Sequence, residues 1–286
     1  MCRHLGAPGE PHIAAVYESE RLVGIAPLAL EDDTAHFLGT HEVCDYQDIV
    51  AAPGKSLAVV EAVLDHLRRQ GIAHLDLRTL RPDALVLEAL KRLAPRQMAA
   101  ALSPDDVTFE MTLPDTWEGY LQQLKGKQRH EVRRKLRRLE ENGAFAYRMV
   151  QDGAALDEAF DTFVTLFRRN RADKADFMSG PMVAYFQDQI NALAQRGLLR
   201  LSFLEVNAQP AATILCFDYG GVRYLYNSGY DEQFEPLSVG ALSNVFTIDN
   251  AIAMGCGGYD FLKGPEIYKK RIGGQELGLF RCRLAI

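Results

Sequence analysis

The feature that most constrains this chain is a strand–loop–helix–strand unit within residues 229–271. Apolar side chains from residue 238 to residue 254 recur at helical spacing, and Gly255 suits the left-handed residue that often follows a helix. Residues 258–262 then form a short, mostly apolar run with the length of a buried strand. The pattern predicts one helix packed on a sheet between two strands, as in α/β proteins.

The start of this predicted helix is open to a ligand. Ser238 is a residue type that caps helices, and Gly240 and Ala241 keep the first turn free of large side chains. Free backbone N–H groups and the helix dipole at such a start attract anions. The sequence therefore predicts an anion site on the backbone of Ser238, Val239, Gly240 and Ala241; a plain capped helix is the alternative interpretation.

Composition indicates a globular protein of one large or two ordinary domains, because the 286 residues are 48% hydrophobic and 24% charged. The formal net charge of −6 argues against general nucleic-acid binding. No segment is typical of a signal peptide, and no apolar run is long enough to cross a membrane. The five cysteines form no CxxC pair and the histidines do not cluster, so we predict reduced thiols, no metal site and a cytoplasmic location.

Proline and small residues over 93–106 mark the predicted domain boundary, with a first domain at 1–104 and a second at 105–286. In the second domain, two predicted helices precede three strands that are joined by short turns containing Asn, Gly and Pro. The helix and strand described above follow, and a last strand ends the chain.

Residues 125–138, from Lys125 to Arg138, form the most unusual segment, with eight Lys or Arg residues and His130 against one acid. A narrow apolar seam predicts that it is a helix. One interpretation is a solvated basic face. The other is a site for an anionic partner, namely coenzyme phosphates, a lipid-linked phosphate, an anionic membrane or RNA. The segment lacks interleaved aromatic residues, so we do not expect sequence-specific nucleic-acid recognition.

Four residue strings in the second domain occur together: LRRLE at 136–140, YNSGYD at 226–231, LSVG at 237–240 and YDFLKG at 259–264. With the order of predicted elements, they resemble the GNAT acyltransferases, and among these the CelD/BioF2-type acetyltransferases related to FemAB peptidyltransferases. The resemblance is strong over residues 105–286.

Strings in the first domain resemble the N-terminal half of the same family: LVGIAPL at 22–28, FLG at 37–39 and DYQD at 45–48. The resemblance implies an α/β (α+β), GNAT-like fold with a mixed, mostly antiparallel sheet flanked by helices. It also implies two GNAT-like halves, of which the first is expected to be truncated because its opening helices are missing.

The chain departs from ordinary GNAT enzymes at the loop that binds the donor's pyrophosphate. The pattern Gln/Arg-x-x-Gly-x-Gly/Ala is absent, and residues 234–241 stand in its place, as in the FemAB-related group. Since members of that group use aminoacyl-tRNA donors, the resemblance leaves two donors open, acetyl-CoA or another acyl-CoA and a charged tRNA.

In such a site an amine attacks an acyl thioester, which requires positioning, a donor to the developing oxyanion and an acceptor for the amine proton. Lys263 resembles a lysine that FemAB-type enzymes place near the reacting carbonyl, so it is predicted to stabilise the oxyanion. Glu266 and Asp231 are predicted proton acceptors, and Tyr268 is a predicted hydrogen-bond donor. A surface lysine and a core tyrosine are the alternative interpretations.

The remaining assignments concern binding. Donor phosphates are assigned to the amides at 238–241, with Lys269 and Arg271 as additional cations. Contacts to the acceptor substrate are assigned to Tyr226, Ser228, Tyr230 and Asp260.

These assignments lead to three hypotheses. The first is an N-acyltransferase that moves an acyl group from acyl-CoA to an amine on a sugar or a cell-envelope or exopolysaccharide precursor. The second is aminoacyl transfer from charged tRNA, favoured by the basic segment. The third is a non-catalytic GNAT-fold protein that binds an anionic polymer or membrane. Fold resemblance alone does not distinguish them.

Overall fold

The structure is a computed structural model that describes residues 2–5, 9–169 and 176–286. The strands are β1 (Glu10–Glu18), β2 (Arg21–Glu31), β3 (Thr34–Phe37), β4 (Val50–Ala51), β5 (His74–Leu80), β6 (Leu102–Thr112), β7 (Phe145–Val150), β8 (Leu199–Val206), β9 (Gln209–Tyr219), β10 (Val222–Tyr230), β11 (Gly258–Lys263) and β12 (Gln275–Ala285).

The helices alternate with these strands in both halves of the chain. They are α1 (Cys2–Leu5), α2 (Ser56–Arg69), α3 (Leu85–Leu93), α4 (Pro95–Ala101), α5 (Trp117–Gln123), α6 (Gly126–Glu141), α7 (Leu156–Arg169), α8 (Gly180–Gln195), α9 (Val239–Ala253) and α10 (Ile267–Arg271), with a 3-10 helix at Glu232–Leu237. The apolar periodicity at 238–254 is therefore helix α9, and the basic segment lies mostly in α6.

The chain divides into two compact units, Met1–Val107 with Leu277–Ile286, and Thr108–Glu276. The two-domain division at 104/105 stays a prediction. The last ten residues, which the sequence assigned to the second domain, lie in the first unit. The physical reason is strand pairing, because β12 pairs antiparallel with β5, with Ala285 opposite His74.

The first unit is a sheet in the order β1-β2-β3-β5-β12, with β4 paired to β2. The β3–β5 pair is parallel, whereas the pairs of β2 with β1, β3 and β4 are antiparallel. Alternating burial along β2 and β5 directs their apolar side chains into a core shared with α2 and α3.

The second unit is a sheet in the order β6-β11-β10-β9-β8-β7, in which β10–β11 is the parallel pair and the others are antiparallel. Residues 211–216 of β9 are completely buried. A strand buried without alternation is covered on both faces, and α7 and α9 both pack against β9 and β10. The mostly antiparallel sheet flanked by helices confirms the predicted fold class.

A buried ionic network fastens α9 to β10. Arg223, which is fully buried, donates to the Asp218 carboxylate at 2.7 and 2.9 Å and to Asn250 Oδ1 on α9 at 2.7 Å. Arg200 Nε lies 2.8 Å from the same carboxylate. Burial alone lowers the pKa of Arg223, but the hydrogen bonds to Asp218 outweigh it and raise the pKa above its usual value. The network holds α9 at a fixed position on the sheet.

Candidate functional site

The parallel strands β10 and β11 separate after a short paired segment. Their pairing runs from Val222 opposite Gly258 to Tyr224 opposite Asp260. Residues 225–230 pair with β9, with a register shift near Leu225, whereas the pairing of β10 with β11 ends at Tyr224 and Asp260. The two parallel strands are therefore split beyond this point.

A cavity of about 500 Å³ lies at this split. It is bounded by the end of β10, the start of α9, the loop after β11 and one side chain of α6. The lining residues are Lys135, Ser228, Gly229, Tyr230, Glu235, Ser238, Val239, Gly240, Ala241, Ser243, Asn244, Glu266 and Tyr268. The four backbone positions predicted to bind an anion all belong to this wall.

The start of α9 has a different cap from the one predicted. Ser238 adopts a left-handed conformation, with φ of 58°, and its side chain makes no capping hydrogen bond with the described residues. Its carbonyl accepts from the N–H groups of Ala241 and Leu242 at 3.0 Å. The first N–H groups of a helix have no acceptor inside it, so those of Val239 and Gly240 suit an anion in the cavity.

Glycine at position 240 keeps the helix start close to β10. A Cβ atom on Gly240 would lie 2.8 Å from Cδ1 of the Tyr230 ring, closer than real Cβ contacts. Tyr230 therefore packs directly against the bare first turn, and both residues form the wall beside the anion position.

Lys135 connects the basic helix α6 with the start of α9. It is half-buried, it lines the cavity, and burial lowers the pKa of its ammonium. Glu131, one turn earlier, is ion-paired with Arg134 at 2.8 Å. Two hydrogen bonds anchor α6 at this place, from Gln128 to the Lys270 carbonyl at 3.2 Å and from Arg138 to the Pro236 carbonyl at 3.0 Å. The helix dipole of α9 and the Lys135 ammonium act on the same cavity.

Glu266 and Tyr268 line the cavity, as do Ser228 and Tyr230. Burial raises the pKa of the Tyr268 hydroxyl above its usual value, so this phenol stays protonated over the physiological range. Four residues predicted for catalysis or substrate contact are thus brought together.

Lys269 has a structural position that differs from the predicted cofactor contact. It is 2% exposed, and its ammonium donates to the carbonyls of Leu262, Lys263 and Gly264 at 3.0, 2.8 and 3.1 Å. It also forms an ion pair with Glu266 at 2.9 Å. A lysine has three donors, and these carbonyls use all of them.

Asp260 is the second residue whose geometry differs from its predicted role. It is 4% exposed, it does not line the cavity, and it accepts from the backbone N–H of Leu262 at 2.7 Å. Leu262 has a φ of 54°, an unfavourable conformation for a branched side chain. The hydrogen bonds of Asp260 and Lys269 therefore stabilise the strained end of β11, rather than contacting a substrate.

Three further predicted residues lie outside the cavity wall. Asp231 is held by an ion pair with Arg169 at 2.7 Å and by the N–H of Gln233 at 3.1 Å. Lys263 is half-buried at the end of β11, where its carbonyl binds Lys269. Tyr226 packs against Phe186 with ring centroids 5.6 Å apart.

Arg271 faces a neighbouring cavity of about 410 Å³ between α6, α9 and α10. That cavity shares Lys135 and Ala241 with the first one, so the two adjoin at the start of α9.

Sequence reasoning missed the individual importance of Lys135, Glu235 and Asn244. Lys135 was one of eight basic residues, and nothing local distinguishes it from the others. Asn244 had a detectable signature, because it follows Gly240 by four residues and so lies on the same helix face.

Among the described ranges there is no group of three or more His, Cys, Asp or Glu side chains placed to hold a metal ion. Within the same ranges, no helix is both long and apolar enough to cross a membrane. The four cysteines whose side chains are described, at 44, 216, 256 and 282, form no disulfide with one another.

The site thus combines a mixed sheet, a split parallel strand pair and a helix that starts beside the split. Residues 126–270, just over half of the chain, match the family described as "Acetyltransferase (GNAT) domain". The chain belongs to this GNAT acetyltransferase domain family, which confirms the predicted superfamily and supports an acyltransferase activity.

Solved structures share the fold at low sequence identity. FemX is 13% identical, with a TM-score of 0.60 over 95% of this chain and 88% of that chain. L-PGS from Bacillus licheniformis is 10% identical, with a TM-score of 0.62 over 97% and 85% of the two chains. The tandem GNAT protein from the clavulanic acid biosynthesis pathway is 12% identical, with a TM-score of 0.51 over 98% and 84%. A comparison with curated proteins gives no match. The similarity to FemX is one of fold.

Proposed function

We propose that this chain is an N-acyltransferase that uses acyl-CoA and acylates a primary amine. The observation that supports this most directly is the cavity at the β10–β11 split, where the start of α9 and Lys135 meet. An amine on a sugar or a cell-envelope precursor is the acceptor that the CelD/BioF2 resemblance favours.

The donor's diphosphate would bind the N–H groups of Val239 and Gly240 and the ammonium of Lys135. Helix starts favour anions, and a partly desolvated cation strengthens the attraction. The pantetheine arm would extend along residues 228–230, which line the cavity beyond the end of the β10–β11 pairing. This path places the thioester between the two separating strands.

The reaction forms a C–N bond and breaks the C–S bond of the thioester. The amine must lose a proton, and the departing thiolate must gain one. Glu266 and Tyr268 both line the cavity. Glu266 would accept the amine proton and Tyr268 would donate one to the thiolate, after which the proton on Glu266 passes through water to Tyr268, so that the net transfer is from amine to thiolate. Asp231, Lys263 and Asp260 lie outside the cavity wall, and the proposal gives them no step.

Aminoacyl transfer from charged tRNA is the second candidate. The outward side of α6 favours it, because several exposed cations lie one or two turns apart there: Lys127, Arg133, Arg134, Arg137 and Arg138. Such a face attracts a nucleic-acid backbone through its phosphates. A non-catalytic protein that binds an anionic polymer would use the same face.

Calorimetric titration with acetyl-CoA tests the first candidate, using Gly240→Trp as the site variant. A side chain at position 240 would collide with the Tyr230 ring, and the displaced groups would fill the cavity beside the helix start, so binding should be lost. Gly257→Trp is the matched control, because Gly257 is exposed at the opposite end of α9 and a Cβ there meets no atom within 4 Å.

Saturable binding by the wild type and by Gly257→Trp, lost in Gly240→Trp, is the expected result. Absence of binding by acetyl-CoA and longer acyl-CoAs to the wild type would refute the acyl-CoA proposal. Binding of charged tRNA in that case would favour the second candidate, and a fully inert protein in transfer assays would favour the third.

A further inference from the structure

Asn244 is a buried polar residue on the cavity side of α9. It is 3% exposed and lies one turn after Gly240, on the same face of the helix. Both residues line the cavity at the β10–β11 split. An amide side chain in this position is unusual, because α9 is otherwise mainly apolar where it packs on the sheet.

The orientation of the Asn244 amide is fixed by its neighbours. Its Nδ2 donates to the Gly240 carbonyl at 2.7 Å. Turning the amide over would bring Oδ1 against that carbonyl oxygen, and two acceptors repel each other. Ser243 Oγ donates to the same carbonyl at 3.0 Å, which holds the first turns of α9 together.

The Asn244 Oδ1 atom has no hydrogen-bond donor within residues 2–5, 9–169 and 176–286, although it is buried. A buried acceptor without a donor is costly, and most such atoms in folded proteins are satisfied. Because Asn244 lines the cavity beside an anion site, a bound ligand is the natural source of the missing donor.

The spacing along the helix indicates which part of a ligand reaches this atom. Four residues of helix cover about 6 Å, so the oxygen lies roughly one turn beyond the N–H groups that suit a phosphate. A ligand that fills both positions carries an anionic group and, a few bonds away, an N–H or O–H donor. This description fits a diphosphate followed by a hydroxyl- and amide-bearing arm.

We propose that Asn244 is a specificity-determining residue whose Oδ1 accepts a hydrogen bond from the pantetheine arm of the donor. The proposal rests on the acyl-CoA function proposed above. It means that the cavity selects donors by their arm as well as by their phosphates. A thioester donor with a purely hydrocarbon arm leaves Oδ1 unpaired and binds more weakly.

Asn244→Leu tests the proposal because the two side chains are similar in size and leucine has no acceptor. Removal of the unpaired buried oxygen is favourable, and removal of the Nδ2 bond to the Gly240 carbonyl, which keeps its bond from Ser243, costs a similar amount, so the thermal stability of the ligand-free protein should change little. Loss of the ligand's hydrogen bond weakens CoA binding roughly tenfold. Weaker affinity at unchanged stability is a result that a merely structural residue would not produce.

Two controls distinguish the loss of the hydrogen bond to the ligand from a structural change at the start of α9. Thr247→Ala removes a similar bond one turn further along α9, from Thr247 Oγ1 to the Ser243 carbonyl at 2.7 Å and outside the cavity wall, and should leave CoA affinity within about twofold of the wild type. Adenosine 3′,5′-bisphosphate has phosphates but no pantetheine arm. It should raise the melting temperatures of Asn244→Leu and of the wild type by the same amount.

Unchanged CoA affinity in Asn244→Leu, with CoA still binding the wild type, would overturn this proposal and leave the acyl-CoA function standing. A large drop in the melting temperature of ligand-free Asn244→Leu would also overturn it. A wild type that binds no CoA would refute both proposals together.

Discussion

Replacing Lys135 by glutamine tests whether the basic helix supplies a ligand-binding charge at the start of α9. The variant keeps a polar side chain, shorter by about one atom, and removes its charge. In the wild type this ammonium is half-buried at the junction of two cavities, and the acid one turn earlier is paired with Arg134. We expect Lys135→Gln to weaken CoA binding without unfolding the protein.

The magnitude follows from the contact that would be lost. A hydrogen bond to a charged group contributes about 1.5–3 kcal/mol, whereas a fully exposed cation near a phosphate contributes much less because water and salt screen it. For half-buried Lys135, about 1.5–3 kcal/mol corresponds to roughly a 10- to 150-fold increase in Kd. The effect should persist at high salt more than that of an exposed charge.

Arg133→Gln is the matched control, because it removes the same charge from an exposed position of the same helix. Calorimetric titration with CoA at low and high ionic strength measures both variants. We expect Arg133→Gln to change Kd by less than about threefold. Equal Kd values for the two variants would refute the assignment of Lys135 to the donor site. They would favour the alternative interpretation, in which α6 is a solvated basic face.

Two more predictions follow from the same structure. Burial lowers the pKa of Lys135, and the ammonium is charged only below that pKa, so CoA affinity should decline at a lower pH than it would with an exposed lysine. The affinity of Lys135→Arg should not change over the same pH range, and a wild-type affinity that is also constant up to pH 10 would contradict this prediction. Asp218→Asn leaves Arg223 and Arg200 without their carboxylate and should cost about 3–5 kcal/mol of unfolding free energy in urea; a loss below about 1 kcal/mol would show that the network does not hold α9.

Local sequence patterns determined the elements of the second unit. Helical spacing of apolar residues located α9 within a residue at each end, and the basic composition with a narrow apolar seam located α6. The family strings then indicated which α/β fold these elements form. These predictions succeeded because the periodicity of a helix and the chemistry of a turn depend on residues that are neighbours in the chain.

The identity of the site residues depended on contacts between distant segments. Three lysines or arginines after β11 look alike in sequence, yet only the tertiary structure places Lys269 under the strained Leu262 and turns Arg271 toward a second cavity. Asp231 is ion-paired with Arg169, which lies 62 residues earlier in the chain.

The junction of Lys135 with the start of α9 is of the same kind. It joins two predictions that were made separately, an anion-binding helix start and a basic helix, although more than a hundred residues lie between them. The sequence by itself determined that both helices form and what charge each carries. Only packing on the sheet decided which side chain of α6 lines the cavity at the start of α9, because burial and partner choice depend on the whole fold and not on local periodicity.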